Sequence, residues 1–366
     1  MRIHPDHQES GIALIIVLIV IVVLGTLALG FGYSMKVETT LARHASFSSE
    51  LDWMGRSGVE VAKWVLAQGS QGQNGQFDCL KQKWAGGPGE TNDVLAGIDL
   101  KNYPFYGADG QLKGTLSIDI KDLDRKFNIN VADEVILRQA LTLIGVDAGS
   151  IGTIVGSILD WRDPDSDPHM GGSESQFYEQ QNPPYYAKDG PIDDLSELLI
   201  INGIMESPAI YWGSSGGNLS QSFIRRQPGQ ASRFEEPTYA VGLVDLFTPL
   251  SSRLININTA SATVLQLMPE IDENIAQAII QARAGPDGQD GTDDDMPFRS
   301  PGELAGRVPG FVNPAAIAQL ARFFTVRSLI FEVHVTASAG ISKREYVAVL
   351  RRNSPKDIQT LNLYWK

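Results

Sequence analysis

Residues 12–31, IALIIVLIVIVVLGTLALGF, form an uncharged apolar run that begins immediately after Gly11 and ends ahead of the first downstream charge, Lys36. At a helical rise of about 1.5 Å per residue, such a run spans about 30 Å, the hydrocarbon thickness of a bilayer. Outward to the N-terminus lies a short and mostly polar stretch, MRIHPDHQESG. The run exceeds the roughly 7 to 15 apolar residues of a secretory signal peptide. Outward to the C-terminus, apolar or small residues recur at Val37, Leu41, Ala45, Ser48, Leu51, Met54, Gly58, Val61, Ala62, Val65 and Leu66. That spacing is close to the period of about 3.6 of an amphipathic helix. No Pro lies between Pro5 and Pro88, so the span continues as one helix to about Gln68, with Gly25, Gly30, Gly32, Gly55 and Gly58 making it pliable.

A helix half buried in a membrane and half packed on a domain, preceded by a short polar leader ending in Gly11, resembles the type IV pilin and pseudopilin superfamily. The resemblance implies that a prepilin peptidase cuts after Gly11 and that the new N-terminus, Ile12, is methylated. A simple signal peptide and a plain membrane anchor are the other readings of the run. Two positions depart from the common pattern. Glu9 and Ser10 stand where such leaders usually carry Lys or Arg, and the fifth mature residue is Ile16 where most members have glutamate. Lack of that glutamate is characteristic of one branch, the large minor pseudopilins of the protein K family of type II secretion.

The exported part is long enough for two or more lobes with real cores. A single cysteine, Cys79, excludes an intramolecular disulfide framework and a CxxC metal site. The net charge of −13 argues against non-specific nucleic-acid binding, which needs a basic surface. Residues 69–90 carry a glycine-rich loop, Leu112–Ile120 alternates as a strand, 213–236 is polar linker, and 329–350 reads as a β-hairpin, IFEVHVTA and REYVAVL joined by SAGISK.

Between these parts lies a duplication. FNINVADEVILRQAL (127–141) aligns with ININTASATVLQLMP (255–269), matching Asn128, Ile129 and Asn130 to Asn256, Ile257 and Asn258. IVGSILDWR (154–162) then aligns with IAQAIIQAR (275–283), and each copy enters an Asp-rich loop followed by a similar helix start, DLSELL (194–199) or SPGELA (300–305). These units resemble helix-hairpin-helix and SAM-like modules. In nucleic-acid-binding members a Gly-hydrophobic-Gly turn meets a phosphate; here that turn reads Pro269-Glu270-Ile271-Asp272, and its carboxylates repel an anion.

Tandem modules inserted in a pilin-like chain complete the resemblance to the protein K family. The expected class is α+β: a pilin-like long N-terminal helix, a small β-sheet lobe, and an inserted duplicated helical domain. The expected divisions are leader 1–11, membrane part 12–31, amphipathic continuation 32–68, pilin-like α/β part 69–126, first module 127–212, linker and strand 213–254, second module 255–325, and closing β-hairpin 326–366. The resemblance implies a minor pseudopilin at the tip of the type II secretion pseudopilus. Its partners would be minor pseudopilins I and J, other pseudopilins, the inner-membrane secretion platform and prepilin peptidase, and its head would lie in the periplasm. A tip pilin of a related type IV filament and a membrane-anchored periplasmic binding module are the alternatives.

The acidic loops are the candidate metal sites. Asp163, Asp165 and Asp167 alternate in DPDSDPHMGGSE and Glu174 stands twelfth from Asp163, as in an EF-hand loop, although Pro168 replaces the sixth-position glycine. In GPDGQDGTDDDMPF, Asp287, Asp290, Asp293, Asp294 and Asp295 crowd among glycines. Hard oxygen ligands at such spacing suit one or two calcium ions. Catalysis is not expected: His4, His7, His44, His169 and His334 show no paired spacing, and no nucleophile elbow or phosphate loop occurs. His169 reads as a loop backbone donor or a solvated side chain, His334 as a surface or edge residue, and Asp122 and Asp124 as turn residues after a strand.

Overall fold

The computed structural model describes residues 9–69, 75–89, 94–216, 238–309, 320, 322–340 and 342–366. Residues 1–8 of the expected leader and 217–237 of the expected linker lie outside these, as do the side chains of Ile12 and Ala45. One helix, α1, runs from Glu9 to Gly69. Its stretch Ala13–Ala42 is long and apolar enough to cross a membrane and is not buried against the rest of the protein.

The amphipathic stripe packs from Leu51 onward, where Leu51, Met54, Val59, Ala62, Val65 and Leu66 are buried, while Val37 and Leu41 stay exposed. Gly55 and Gly58 have a packing role. A Cβ at Gly55 would collide with the Tyr346 ring and one at Gly58 with Val335, so these glycines let the helix settle close onto the sheet.

Strands β1 (Tyr103–Tyr106) and β2 (Leu112–Asp122) follow α1. The helical region holds β3 (Phe127–Asn128), β4 (Phe247–Thr248), β5 (Ile255–Asn256) and β6 (Phe324–Thr325). β7 (Ile330–Ala339), β8 (Ser342–Ser354) and β9 (Asp357–Trp365) close the chain. The main sheet has the order β1-β2-β7-β8-β9, antiparallel throughout, so the expected closing hairpin is a three-stranded meander. The third strand, DIQTLNLYW, was not among the expected elements: it buries almost nothing, so no apolar face marks it. Leu116, Ile118 and Ile120 of β2 join Phe331, Val333 and Val335 of β7 in the core under α1.

The helical modules sit between β2 and β7. Helices α2 (Glu134–Ile144) and α3 (Ala148–Arg162) form the first copy; α4 (Ala262–Leu265) and α5 (Glu273–Ala284) form the second. Each begins on a side-chain cap: Asp133, Asp147, Ser261 and Asp272 accept backbone N–H groups of the first turn. Each copy is closed by a short parallel pair, β3 with β4 and β5 with β6. Residues 243–248, expected in the linker, therefore complete the first module: the short helix Leu243–Leu246 buries Leu243 and Leu246 in one core shared by both copies.

The duplication extends to buried polar groups. Asn130 exchanges hydrogen bonds with the backbone of Ile192, as Asn258 does with Phe298. Arg162 donates to the carbonyls of Ile129 and Ala132, as Arg283 does to Ile257 and Ala260.

A buried polar knot ties the second copy to the sheet lobe. Asp122 accepts from Thr259 Oγ1 (2.5 Å), Ser328 Oγ (2.6 Å) and Asn256 Nδ2 (3.4 Å). Asp124 accepts from the backbone N–H groups of Ser252 and Leu329, both at 2.6 Å. Arg352, also buried, pairs with Asp78 and donates to the Ser328 carbonyl. Asp122 and Asp124 do make the turn after the strand, the Asp124 N–H donating to Asp122 Oδ1, and they also form the floor of an inter-lobe junction, where burial followed by the neighbouring Asp124 charge pushes Asp122 up to about 7.

Candidate cation site

The last turns of α3 carry the decisive residues. Ile154, Val155, Ile158 and Trp161 face the core, and Asp160 sits among them with no exposed surface. Asp163 caps the helix C-terminus, and the loop after it folds back onto α3, where Gly156 and Gly172 are in close backbone contact that no Cβ would permit. The return brings His169 to Asp160, whose Oδ1 meets the His169 backbone N–H at 2.9 Å and ring Nδ1 at 2.6 Å. Ser173, held by Asn202 Nδ2, then delivers the buried Glu174.

Two overlapping groups result: Asp160, Asp163 and His169, and Asp163, Asp165 and Glu174, each with donor atoms within 4.8 Å of one another. Asp160 Oδ2, Asp163 Oδ1 and Glu174 Oε1 are buried and have no hydrogen-bond partner. An unmatched buried acceptor costs about 1–3 kcal/mol. Burial, followed by repulsion from Asp160 and Asp163, pushes Glu174 up to about 7, and burial together with Asp165 raises Asp163. A divalent cation would offset all of these at once. The donor set of hard carboxylate oxygens around orphaned atoms fits calcium, whose coordination tolerates irregular geometry.

Asp167 of the expected EF-hand series is not in either group; it is exposed, and its N–H donates to Asp165 Oδ1 at 3.0 Å. Pro168 at the sixth position leaves the loop without the turn that the motif needs. His169 is exposed, as expected of a solvated residue, while its backbone N–H and ring also engage Asp160. Asp160 itself was missed by sequence spacing. Its signal was an acidic residue on the apolar face of α3.

The second loop is built otherwise. Asp290 forms a two-point pair with buried Arg283, at 2.9 and 2.6 Å. Asp294 accepts from Thr292 Oγ1 and the Asp287 N–H, Asp295 from the N–H groups of Gly291 and Thr292, and Asp287 from the Gln289 N–H. The Asp293 carbonyl receives Lys81 Nζ at 2.8 Å. Among the described residues, the groups able to gather three donors are both on the first loop. At the N-terminal end, Gly11 and Ile12 lie within α1 and the Ile16 side chain is exposed.

The family described as Type II secretion system (T2SS), protein K matches residues 117–210, the end of β2 and the first module. A helix-hairpin-helix motif matches residues 251–325, the second module. A type II secretion system protein K of Pseudomonas aeruginosa is 24% identical over 367 residues, covering 96% of this chain and 92% of that protein. Over its first module the chain matches the type II secretion protein K family, and it is similar to a member of that family over nearly its whole length. Members of that family are minor pseudopilins, structural components of a secretion machine rather than enzymes, and the N-terminal apolar helix, single among the described residues, suits a membrane-anchored pseudopilin. A Klebsiella pneumoniae type II secretion system protein K is 23% identical over 217 residues, and the chain spans 59% of its length, as it spans 60% of an Escherichia coli strain K12 relative. The fold matches a chain in the crystal structure of the GspK-GspI-GspJ complex from enterotoxigenic Escherichia coli, with a TM-score of 0.61 and 17% identity, covering 89% of this chain and 99% of that one.

Proposed function

We propose that this protein is a tip subunit of the type II secretion pseudopilus, assembling with minor pseudopilins of the I and J kinds to start and cap the filament for protein export across the outer membrane. The observation that carries this reading is a pilin-type helix of 61 residues bearing, beside its sheet, a head of two fused helical modules. Such a head fits at a filament end more readily than along a shaft where subunits stack closely. Ile16 agrees with that position: without a carboxylate at the fifth residue after Gly11, the helix offers no partner to the N-terminal amine of a subunit above. The matching solved chain comes from a complex named for K, I and J, which supports the choice of partners. Before assembly, the Ala13–Ala42 stretch would hold the subunit in the inner membrane with the head in the periplasm.

Calcium belongs to the same proposal. Asp163 with Asp165 and Glu174, or Asp163 with Asp160 and His169, would hold an ion, which would neutralise the crowded carboxylates and fix the loop on α3. The test is co-expression of the full chain with prepilin peptidase and pseudopilins I and J, followed by detergent extraction. Expected are a mature N-terminus at Ile12 and a complex containing all three pseudopilins. Mature protein that leaves I and J behind in every extract would end the tip reading.

A further inference from the structure

The two donor groups on the first loop differ in chemistry. Asp163, Asp165 and Glu174 offer carboxylate oxygen alone, whereas Asp160, Asp163 and His169 add an imidazole nitrogen. Calcium takes oxygen ligands, while imidazole suits zinc, copper and nickel, which accept mixed nitrogen and oxygen sets.

His169 stands where such a ligand would stand. Its Nδ1 lies 2.6 Å from Asp160 Oδ1 and 3.4 Å from Asp163 Oδ2. Its backbone N–H, bonded to Asp160 Oδ1 at 2.9 Å, fixes the piece of loop that carries the ring. Ligands set tetrahedrally around zinc lie about 3.3 Å from one another, so a small widening of the ring contact with Asp160 would let the trio close on an ion. The hydrogen bond to the ring does not satisfy these carboxylates. Asp160 has no exposed surface, and its Oδ2 and the buried Oδ1 of Asp163 have no donor among the described residues. Arg162, the nearest cation in sequence, is spent on the carbonyls of Ile129 and Ala132. The His169 side chain is 45% exposed where that of Asp160 is closed off, so an ion would enter past the imidazole and keep water in its fourth position.

We propose that Asp160, Asp163 and His169 form a site for a zinc-class divalent ion, next to the all-oxygen calcium group and sharing Asp163 with it. This deepens, and rests on, the reading of the first loop as a cation site. Asp160 matters to either ion, because its Oδ1 also holds the loop through the His169 N–H. The residues that tell the two ions apart are His169 for zinc and Asp165 for calcium.

The test uses the untagged full chain in detergent micelles, stripped of metal with EDTA and titrated calorimetrically with zinc chloride and, separately, with calcium chloride. The parent is expected to bind one zinc ion with a Kd of about 10 µM or tighter. His169→Ala should weaken zinc at least about tenfold and leave calcium within about twofold, and Asp165→Asn should do the reverse. If the metal-free melting temperature of His169→Ala falls, His169→Gln, which can still donate to Asp160, decides in its place. Zinc affinity unchanged in both His169 variants would overturn the proposal. A parent that takes calcium but no zinc would also overturn it and leave the calcium reading standing. Zinc binding that depends on His169 in a parent that takes no calcium would end the calcium reading and support this one. Loss of both ions in His169→Ala at an unchanged melting temperature would mean one undivided site, and the proposal would fall.

Discussion

The two helical copies share caps, an Asn clamp and a buried Arg, yet their acidic loops solve opposite problems. In the second copy Arg283 reaches Asp290, and the remaining aspartates accept N–H and hydroxyl groups from their own loop. In the first, Arg162 makes only its carbonyl contacts, its Nε is unpartnered, and Asp160, Asp163 and Glu174 each keep a buried oxygen without a donor. One loop is closed by protein groups; the other keeps buried acceptors that no protein group among the described residues satisfies. The difference teaches that the two loops are alike in their number of carboxylates and are told apart only by which of those carboxylates the protein leaves unsatisfied.

The hardest blow to this contrast would fall on the arginines. Arg283→Ala leaves two buried carbonyls and Asp290 without their donor, and should cost about 3–5 kcal/mol in denaturant unfolding of the detergent-solubilised chain. Arg162→Ala removes the carbonyl contacts alone and should cost about 2 kcal/mol. Equal losses would mean that Asp290 contributes nothing, and the second loop would no longer count as internally closed.

Next in size is the response to calcium. At a free concentration of 100 times its Kd, an ion bound only by the folded first loop adds about 2.7 kcal/mol. The melting temperature should rise with calcium and fall with EGTA, and Asp160→Asn should abolish the response while Asp294→Asn preserves it. If Asp294→Asn abolished it and Asp160→Asn did not, the assignment of the loops would be reversed.

How much of this was readable beforehand depended on which physical term did the work. The membrane run, the stripe from Leu51 to Leu66, the strand at 112–120 and the duplication were all legible, because periodicity and paired motifs are local. The meander was legible only in part, since β9 buries almost nothing and so shows no apolar face. Asp163, Asp165 and Glu174 followed from spacing, but Asp160 did not, because it joins them only when the loop folds back across Gly156 and Gly172. Nor could Asp122 be told from a turn residue, since its partners Thr259 and Ser328 are far along the chain.

Those partners give the copies a second contrast, one that pH can sharpen. Asn128 of the first copy serves the carbonyls of Pro249 and Ser251, whereas Asn256 of the second reaches Asp122, Ser328 and the Asp78 carbonyl. Among the described residues, the second copy is thus tied to the sheet lobe through Asp122, a group that titrates. Because burial raises Asp122 to about 7 from 3.8, the folded state holds its proton where the unfolded state has lost it. Its contribution to stability is full below about pH 4 and is lost as pH rises toward 7. Asp122→Asn should remove that slope, so that the variant gains on the parent by on the order of 1 kcal/mol or more between pH 5 and pH 8. A parallel pH dependence of parent and variant would show that another group sets it.

The smallest expected difference concerns the helix starts after each loop. Asp194 accepts the Ser196 N–H, and Glu197 reaches back to the Asp194 N–H in a complete capping box. Ser300, its counterpart, makes no side-chain cap, and Glu303 accepts from Arg299 instead. Asp194→Ala should therefore cost about 1 kcal/mol, while Ser300→Ala should stay within about 0.5 kcal/mol. Glu197 also anchors Lys188 and the indole N–H of Trp161 on α3, so loosening this cap would loosen the platform under the first loop. A calcium response weakened by Asp194→Ala but untouched by Ser300→Ala would place the rigidity of the first copy, and not its charge alone, behind its cation site.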